Sequence, residues 1–336
     1  LENPVFTITN IVKTGFSSNP FLLTGHRSKK MQEILAKLLH EQQFDIIHVE
    51  TFYVAQNLPK TNIPVVLVEH NIEYSIYNRF ANTASSLLRP LLLLDIKKLK
   101  KAEEQAWKKA DHIVAVSEQE KEIIQKYTKA VSVVENGVDL EKFRMKDIAK
   151  QLKNKQKKIL FIGDFSYIQN IDAATFIIRE IAPLMRKLSG DMQIQFWVKG
   201  RSIPDSIKNL SHDSDIIYDE DTTVSTLEIF TQADILLAPI RVGGGTQYKI
   251  LESMACGTPV ITTQLGNEGI NGKENKEIVL GETATQLAQQ CHKLLTDATL
   301  YTKIAKDGRS LVEKNFNWEL ITQRLEKVYQ ETVKKN

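Results

Sequence analysis

Short apolar runs that alternate with longer helical patterns constrain the fold of this chain more than any other feature. In the second half the runs are KKILFIGDF (Lys157–Phe165), MQIQFWVKG, SDIIYDE, ADILLAPI, TPVITT and KEIVLGE, with helical stretches between most of them. The first half carries DIIHVE (Asp45–Glu50), PVVLVEH (Pro64–His70), DHIVAVS (Asp111–Ser117) and VSVVENG (Val131–Gly137), separated by helical patterns around Ser28–Gln42, Leu91–Ala110 and Gln119–Tyr127. That cadence belongs to parallel sheets joined by crossover helices. Runs as continuously apolar as ILFIG and ILLAP suit strands covered on both faces. Six runs suffice for one doubly wound sheet, and 336 residues suffice for two domains of ordinary α/β size.

The expected division is residues 1–150, residues 151–317 and a terminal helix over 318–336. The join is placed at MKDIAKQLKNKQ (Met145–Gln156), a polar, lysine-rich stretch without large apolar clusters. In the terminal segment Leu320, Ile321, Leu325, Val328 and Tyr329 recur at helical spacing, so a stripe of that helix must dock. Composition then removes several function classes. A net charge of +3 gives no global field suited to nucleic acid. Cys256 and Cys291 lie far apart without metal-ligand spacing, which argues against a disulfide framework or zinc site and for a reducing compartment. The longest apolar run, Leu91–Leu94, is far short of a membrane span of roughly 20 residues. No secretory signal opens the chain. The opening Leu1–Phe21 contains no glycine-rich strand-to-helix turn.

One stretch points to chemistry: Arg241–Ile261, RVGGGTQYKILESMACGTPVI. It follows the buried run Ile235–Pro239. Gly243, Gly244 and Gly245 allow positive φ and close approach of a ligand to the backbone. Thr246 has the chemistry to cap a helix running to Cys256, which Gly257 and Pro259 would end. The helix start would then lie at the carboxyl end of a parallel sheet, presenting free N–H groups and partial positive charge to an anion. Gly245, Lys249 and Glu252 are spaced four and three apart and share one helix face. Arg241 and Lys249 suit a diphosphate, and the Glu252 carboxylate, which can accept two hydrogen bonds, suits ribose hydroxyls. Taken alone, three glycines would be only a flexible loop and Glu252 a solvated helix residue. Strand, loop, cap and both charged residues in register favour the phosphate site.

The same stretch resembles the donor-site signature of family-4 glycosyltransferases, which have the GT-B fold: two Rossmann-like domains whose parallel sheets face each other across a cleft. Many members carry Glu-x7-Glu followed by A-x-G-x-P-V-I. Here Glu252 matches the second glutamate and Ala255–Ile261 the sequel, while Gly244 stands at the first. The resemblance is thus to a subgroup with a glycine-rich R-V-G-G-G-T run. EHNIEYSIYNRF (Glu69–Phe80), ADHIVAVSE (Ala110–Glu118), ENGVDLEKF (Glu135–Phe143) and FIGDFSYIQNIDA (Phe161–Ala173) extend it over most of the chain. It implies an acceptor-side domain over 1–150 that lacks its first βα unit, a donor domain over 151–317, and a terminal helix that crosses back to the first domain. It further implies retaining transfer of a sugar from a nucleoside diphosphate sugar to an acceptor hydroxyl on a glycan or lipid-linked glycan. Neither a metal nor a cofactor is needed, the nucleotide sugar being a co-substrate. The location it implies is cytoplasmic, leaving room for weak peripheral contact with the membrane face. Two other readings are a non-catalytic nucleotide-sugar-binding fragment or subunit, and a sugar-nucleotide epimerase of the same fold.

Other residues carry paired readings. His70 ends PVVLVEH at the carboxyl edge of its strand, where ligands of open α/β sheets bind. In similar enzymes a histidine near this point contacts the transferring sugar, so His70 is the catalytic candidate; it could equally be a structural hydrogen-bonder. Glu69 alternates to the other face and reads as structural. Gly163, Asp164 and Phe165 end a strand, and similar enzymes bring this turn to the donor phosphates, usually with basic residues soon after. DFSYIQN has none, leaving Arg241, Lys249 and Lys199 as stand-ins; Lys199 and Arg201 could also form a solvated turn. Asn170 reads as a helix cap. KKLKKAEEQAWKK (Lys97–Lys109) could be a membrane-surface patch, but Glu103 and Glu104 interrupt the basic run and favour a solvated face. Cys256 reads as packing.

Overall fold

The computed structural model describes residue 14 and residues 17–83, 88–242 and 246–335. Two compact units are present, one of Leu1–Glu135 with Thr322–Asn336, the other Asn136–Ile321. The boundary thus falls at Glu135/Asn136 and not near residue 150. The reason is packing: Phe143 is buried against Phe230, Val138 N donates to Phe316 O, and Lys146 N donates to Cys256 O, all inside the second unit. The polar stretch that suggested a linker contains a short helix, Ile148–Leu152, capped by the Asp147 side chain.

In the first unit four parallel strands, β1 (Ile47–Glu50), β2 (Val65–Glu69), β3 (His112–Ala115) and β4 (Val131–Val133), lie side by side in sequence order. The four apolar runs of the first half become these strands, shortened at their ends. The helix Lys29–Glu41 begins at Ser28, whose side chain accepts from Met31 N, and Ser117 does the same for the helix Glu118–Ile124. The long helix Arg89–Lys109 buries Ile96, Leu99, Glu103 and Trp107. Glu103 is 0% exposed, so the solvated reading of this segment fails at this acid. Its carboxylate accepts the N–H groups of Glu73 and Tyr74 at the start of the helix Glu73–Thr83.

In the second unit β5 (Gln156–Asp164), β6 (Gln193–Arg201), β7 (Ile216–Asp219), β8 (Ile235–Ala238), β9 (Val260–Thr262) and β10 (Val279–Leu280) form one parallel sheet in the order β10-β9-β8-β5-β6-β7. Each apolar run of the second half is a strand. The sheet is buried on both faces, by Phe161, Phe196 and Leu237 on one side and Leu160, Leu236 and Val260 on the other. The chain lays β6 and β7 on one side of β5 and β8 to β10 on the other, so the order reverses between β5 and β8. Beyond the carboxyl ends of those two strands is where such sheets bind ligands.

The last helix, Trp318–Lys335, begins in the second unit and continues in the first from Thr322. Ile321, Val328 and Thr332 are buried, whereas Leu320 from the expected stripe is exposed. Among the described residues no helix is long and apolar enough to cross a membrane.

Candidate functional site

The carboxyl end of β5 is shaped by two glycines facing each other across the sheet. Gly163 pairs in register with Gly200 of β6, whose φ is +154°. A Cβ on Gly200 would fall 1.8 Å from Gly163 O, so only glycine lets the two strands close here. A Cβ on Gly163 would meet the Asn170 side chain at 2.6 Å. That side chain sits directly over the strand end, its Nδ2 donating to Asp164 O at 2.7 Å. Asn170 is therefore not a cap: its helix, Ile168–Phe176, starts after Tyr167, and Asn170 lies buried in the first turn.

Lys249 reaches the same point from the signature helix, its Nζ 2.7 Å from Asn170 Oδ1 and 4.8 Å from the centre of the Phe161 ring. Burial pulls the Lys249 ammonium down to about 8. None of the ion pairs among the described residues gives it a carboxylate. It is a part-buried cation that meets a carboxamide and an aromatic face and, among the described residues, no carboxylate.

The signature helix spans Tyr248–Ala255, one residue shorter at its start than the sequence suggests, with Gln247 at the cap position and no side-chain cap. Thr246 is thus not the cap. Its Cα would lie 2.7 Å from a Cβ on Gly269, so Thr246 is held against that turn, and its Oγ1 is buried without a partner among the described residues. The helix ends as expected: Gly257 has φ +66° and its N–H closes on Met254 O. Glu252, one turn deeper than Lys249, is raised to about 7 by burial, with Lys142 opposing that shift. Gly243, Gly244 and Gly245 lie outside the described residues.

Arg241 follows the end of β8. Its guanidinium makes a two-pronged contact with Asp172, at 3.0 and 2.7 Å, and stacks 3.9 Å from the centre of the Phe176 ring. Asp164 accepts from Ser166 N–H and hydroxyl and pairs with Arg201 at 2.6 Å, and these bonds hold its carboxyl below the usual range. Phe165 is buried against Phe161. Lys199 is 3% exposed and is bound to Asp219 at 2.7 Å and to the Asp221 carbonyl. The structure therefore brings together Gly163, Asn170, Lys249 and, one turn along the helix, Glu252, while Lys199 is engaged within the β6–β7 edge. Asn170 and Asp172 were not singled out as ligand-side residues. Their only trace in the sequence is a polar pair spaced by two just after the β5 turn.

In the first unit His70 follows β2, and its Nε2 lies 2.6 Å from Glu50 Oε2. The hydrogen bond to Glu50 raises the His70 pKa. Glu69 is buried, accepts from Trp107 Nε1 at 2.9 Å and is raised by burial beside Glu103. It is a structural acid.

Comparison with known proteins agrees with this architecture. The model for Glycosyltransferase Family 4 matches residues 3–142, and that for Glycosyl transferases group 1 matches residues 156–297. An uncharacterized glycosyltransferase of Methanocaldococcus jannaschii is 21% identical over 239 residues, which are 68% of this chain and 60% of that one. A D-inositol 3-phosphate glycosyltransferase of Salinispora tropica is 26% identical over 259 residues, covering 69% and 53%. The chain thus spans 53–60% of the length of these curated relatives. Among solved structures, sucrose-phosphate synthase of Thermosynechococcus elongatus aligns with a TM-score of 0.71 at 18% identity, over 94% of this chain and 80% of that one. Anabaena HepE, solved in complex with UDP and glucose, aligns at 0.65 and 14%, over 89% and 80%. One glycosyltransferase family model is thus matched to each half of the chain, and the two parallel-sheet α/β domains have the GT-B fold of the solved glycosyltransferases it resembles.

Proposed function

We propose that this protein transfers a sugar from a nucleoside diphosphate sugar to an acceptor hydroxyl on a glycan or lipid-linked glycan, with retention at the anomeric carbon and without a metal. The observation that carries the proposal is Lys249: a part-buried cation at the sheet's switch point, held by Asn170 and, among the described residues, with no carboxylate partner. A diphosphate supplies the missing charge. In this reading Lys249, Arg241 and the amides of Gly243–Gly245 take the phosphates, Glu252 takes the ribose, and Gly163–Phe165 lets the donor approach β5. The charge growing on the departing diphosphate is then stabilised by groups already in place. His70 serves the transferring sugar. The HepE complex with UDP and glucose makes UDP the first nucleotide to try.

The two titrating groups give the proposal a pH signature. Glu252 must be ionised to accept from ribose hydroxyls at both of its oxygens, which favours pH above about 7. Lys249 must stay protonated, which favours pH below about 8. Calorimetric titration of UDP and GDP between pH 5.5 and 9.5 should show an affinity maximum between those values, falling by about tenfold per unit on the acid side. Glu252→Gln should flatten the acid limb alone. Affinity that is flat across this range, or unchanged by Glu252→Ala, removes Glu252 from the site. Binding of UDP-sugar without hydrolysis or transfer would favour the binding-fragment reading.

A further inference from the structure

The edge of the first unit's sheet holds a chain of four polar side chains. His48 and Glu50 stand two apart on β1, so they share a face, and the parallel register Glu50↔Val68 puts His70 just beyond them on the same side of β2. Glu50 Oε1 lies 2.7 Å from His48 Nε2, and Glu50 Oε2 lies 2.6 Å from His70 Nε2. His48 Nδ1 is 2.5 Å from the hydroxyl of Tyr329 on the terminal helix, with the two rings edge to face at 5.7 Å.

Chemistry fixes the direction of each bond. Two donors hold the Glu50 carboxyl at about 2, so at neutral pH it only accepts. Both Nε2 atoms must therefore carry protons. A neutral His48 then has its lone pair on Nδ1, which accepts from Tyr329. On His70 the proton is pinned to Nε2, leaving Nδ1 as the atom available to a ligand. Glu50 is the nearest charge to His70; Glu73, from the helix that follows, and Glu120, from the helix after β3, add weaker attraction, and burial opposes all three.

We propose that Glu50 is the positioning residue of His70, and that Tyr329, acting through His48, locks Glu50 in place, so that the terminal helix sets the tautomer and charge of the candidate catalytic histidine. This rests on the reading of His70 given above. A carboxylate that orients one imidazole nitrogen while the other meets the ligand is a general way of readying histidine for catalysis. Here the carboxylate is itself clamped from its other oxygen, and the clamp ends on a helix remote in sequence. Docking of that helix and readiness of His70 become one event.

The test is a pH titration of the histidine rings by nitrogen-detected NMR on the full chain, for the parent, Glu50→Gln and Tyr329→Phe, with thermal melts confirming the fold. Glu50→Gln should lower the His70 pKa by about one unit or more and release its tautomer. Tyr329→Phe should lower the His70 pKa in the same direction as Glu50→Gln but by a smaller amount. UDP affinity should change less than twofold in both, because the donor groups lie elsewhere. A folded Glu50→Gln protein with an unmoved His70 overturns the proposal, and an unmoved His70 in Tyr329→Phe overturns the link to the helix. Hydrolysis of UDP-glucose separates this idea from the one beneath it. If His70→Ala leaves turnover intact while Glu50→Gln still shifts the His70 titration, the clamp stands and the catalytic assignment of His70 falls.

Discussion

Lys249→Met is expected to weaken UDP binding by about 100-fold while leaving the unliganded chain as stable as the parent, or more so. A charge-assisted contact to phosphate contributes on the order of 2–3 kcal/mol, which corresponds to that loss. The second half of the expectation is the more diagnostic. Lys249 is held down at about 8 by burial with no carboxylate beside it, so its charge costs the empty protein stability. Methionine has similar length, no charge, and packs well against the Phe161 ring that Lys249 now faces. Asn170 keeps its bond to Asp164 O in the variant, so the strand end stays organised. Calorimetry gives the affinity, and melting curves with and without UDP give the stability. If UDP still binds within threefold of the parent affinity, the anion role of Lys249 is wrong; if the empty variant melts much lower, Lys249 is a structural residue.

The same residue shows where sequence stops being informative. The strands could be read because a sheet covered on both faces demands unbroken apolar runs, and ILFIG or ILLAP has no other use. Gly257 could be read because only glycine ends a helix at φ +66° without strain. Thr246 misled because a hydroxyl before a helix normally caps it, whereas here it is held against the Gly269 turn. The domain boundary misled for a related reason: a lysine-rich stretch is equally the composition of a linker and of a surface helix, and Phe143 and Val138 decide the matter by what they pack against. Asn170 could not be assigned, since its partners Asp164 and Lys249 come from a strand end and a helix 79 positions away. Local chemistry gave the donor side its cations; tertiary structure alone says that Lys199 and Arg241 already have carboxylate partners, while Lys249 rests on a carboxamide.

Glu103 is the largest misreading and carries the largest expected effect on stability. An acid between lysines suggests solvent, yet Leu99 and Trp107, four residues to either side, share its buried face, and that spacing was the available signal. Glu103→Ala removes the acceptor for the Glu73 and Tyr74 N–H groups and leaves a void, and should cost about 4 kcal/mol. Glu103→Gln keeps the shape and tests the charge. Burial raises Glu103 to about 8 and Glu73 to about 7, and lifts Glu69 well above the usual carboxylate range. Carboxyls raised in the folded state hold protons that the unfolded chain has released, so stability is fully present below about 4.5 and is lost as pH climbs toward 8. Urea unfolding at pH 5, 6.5 and 8 should therefore show the parent weakening with each step. The Gln variant, having one fewer such proton to lose, should weaken less and be closest to the parent at pH 8. Parallel pH profiles for the two proteins would mean that Glu103 is ionised in the fold and that its two backbone bonds, not its burial, govern its charge.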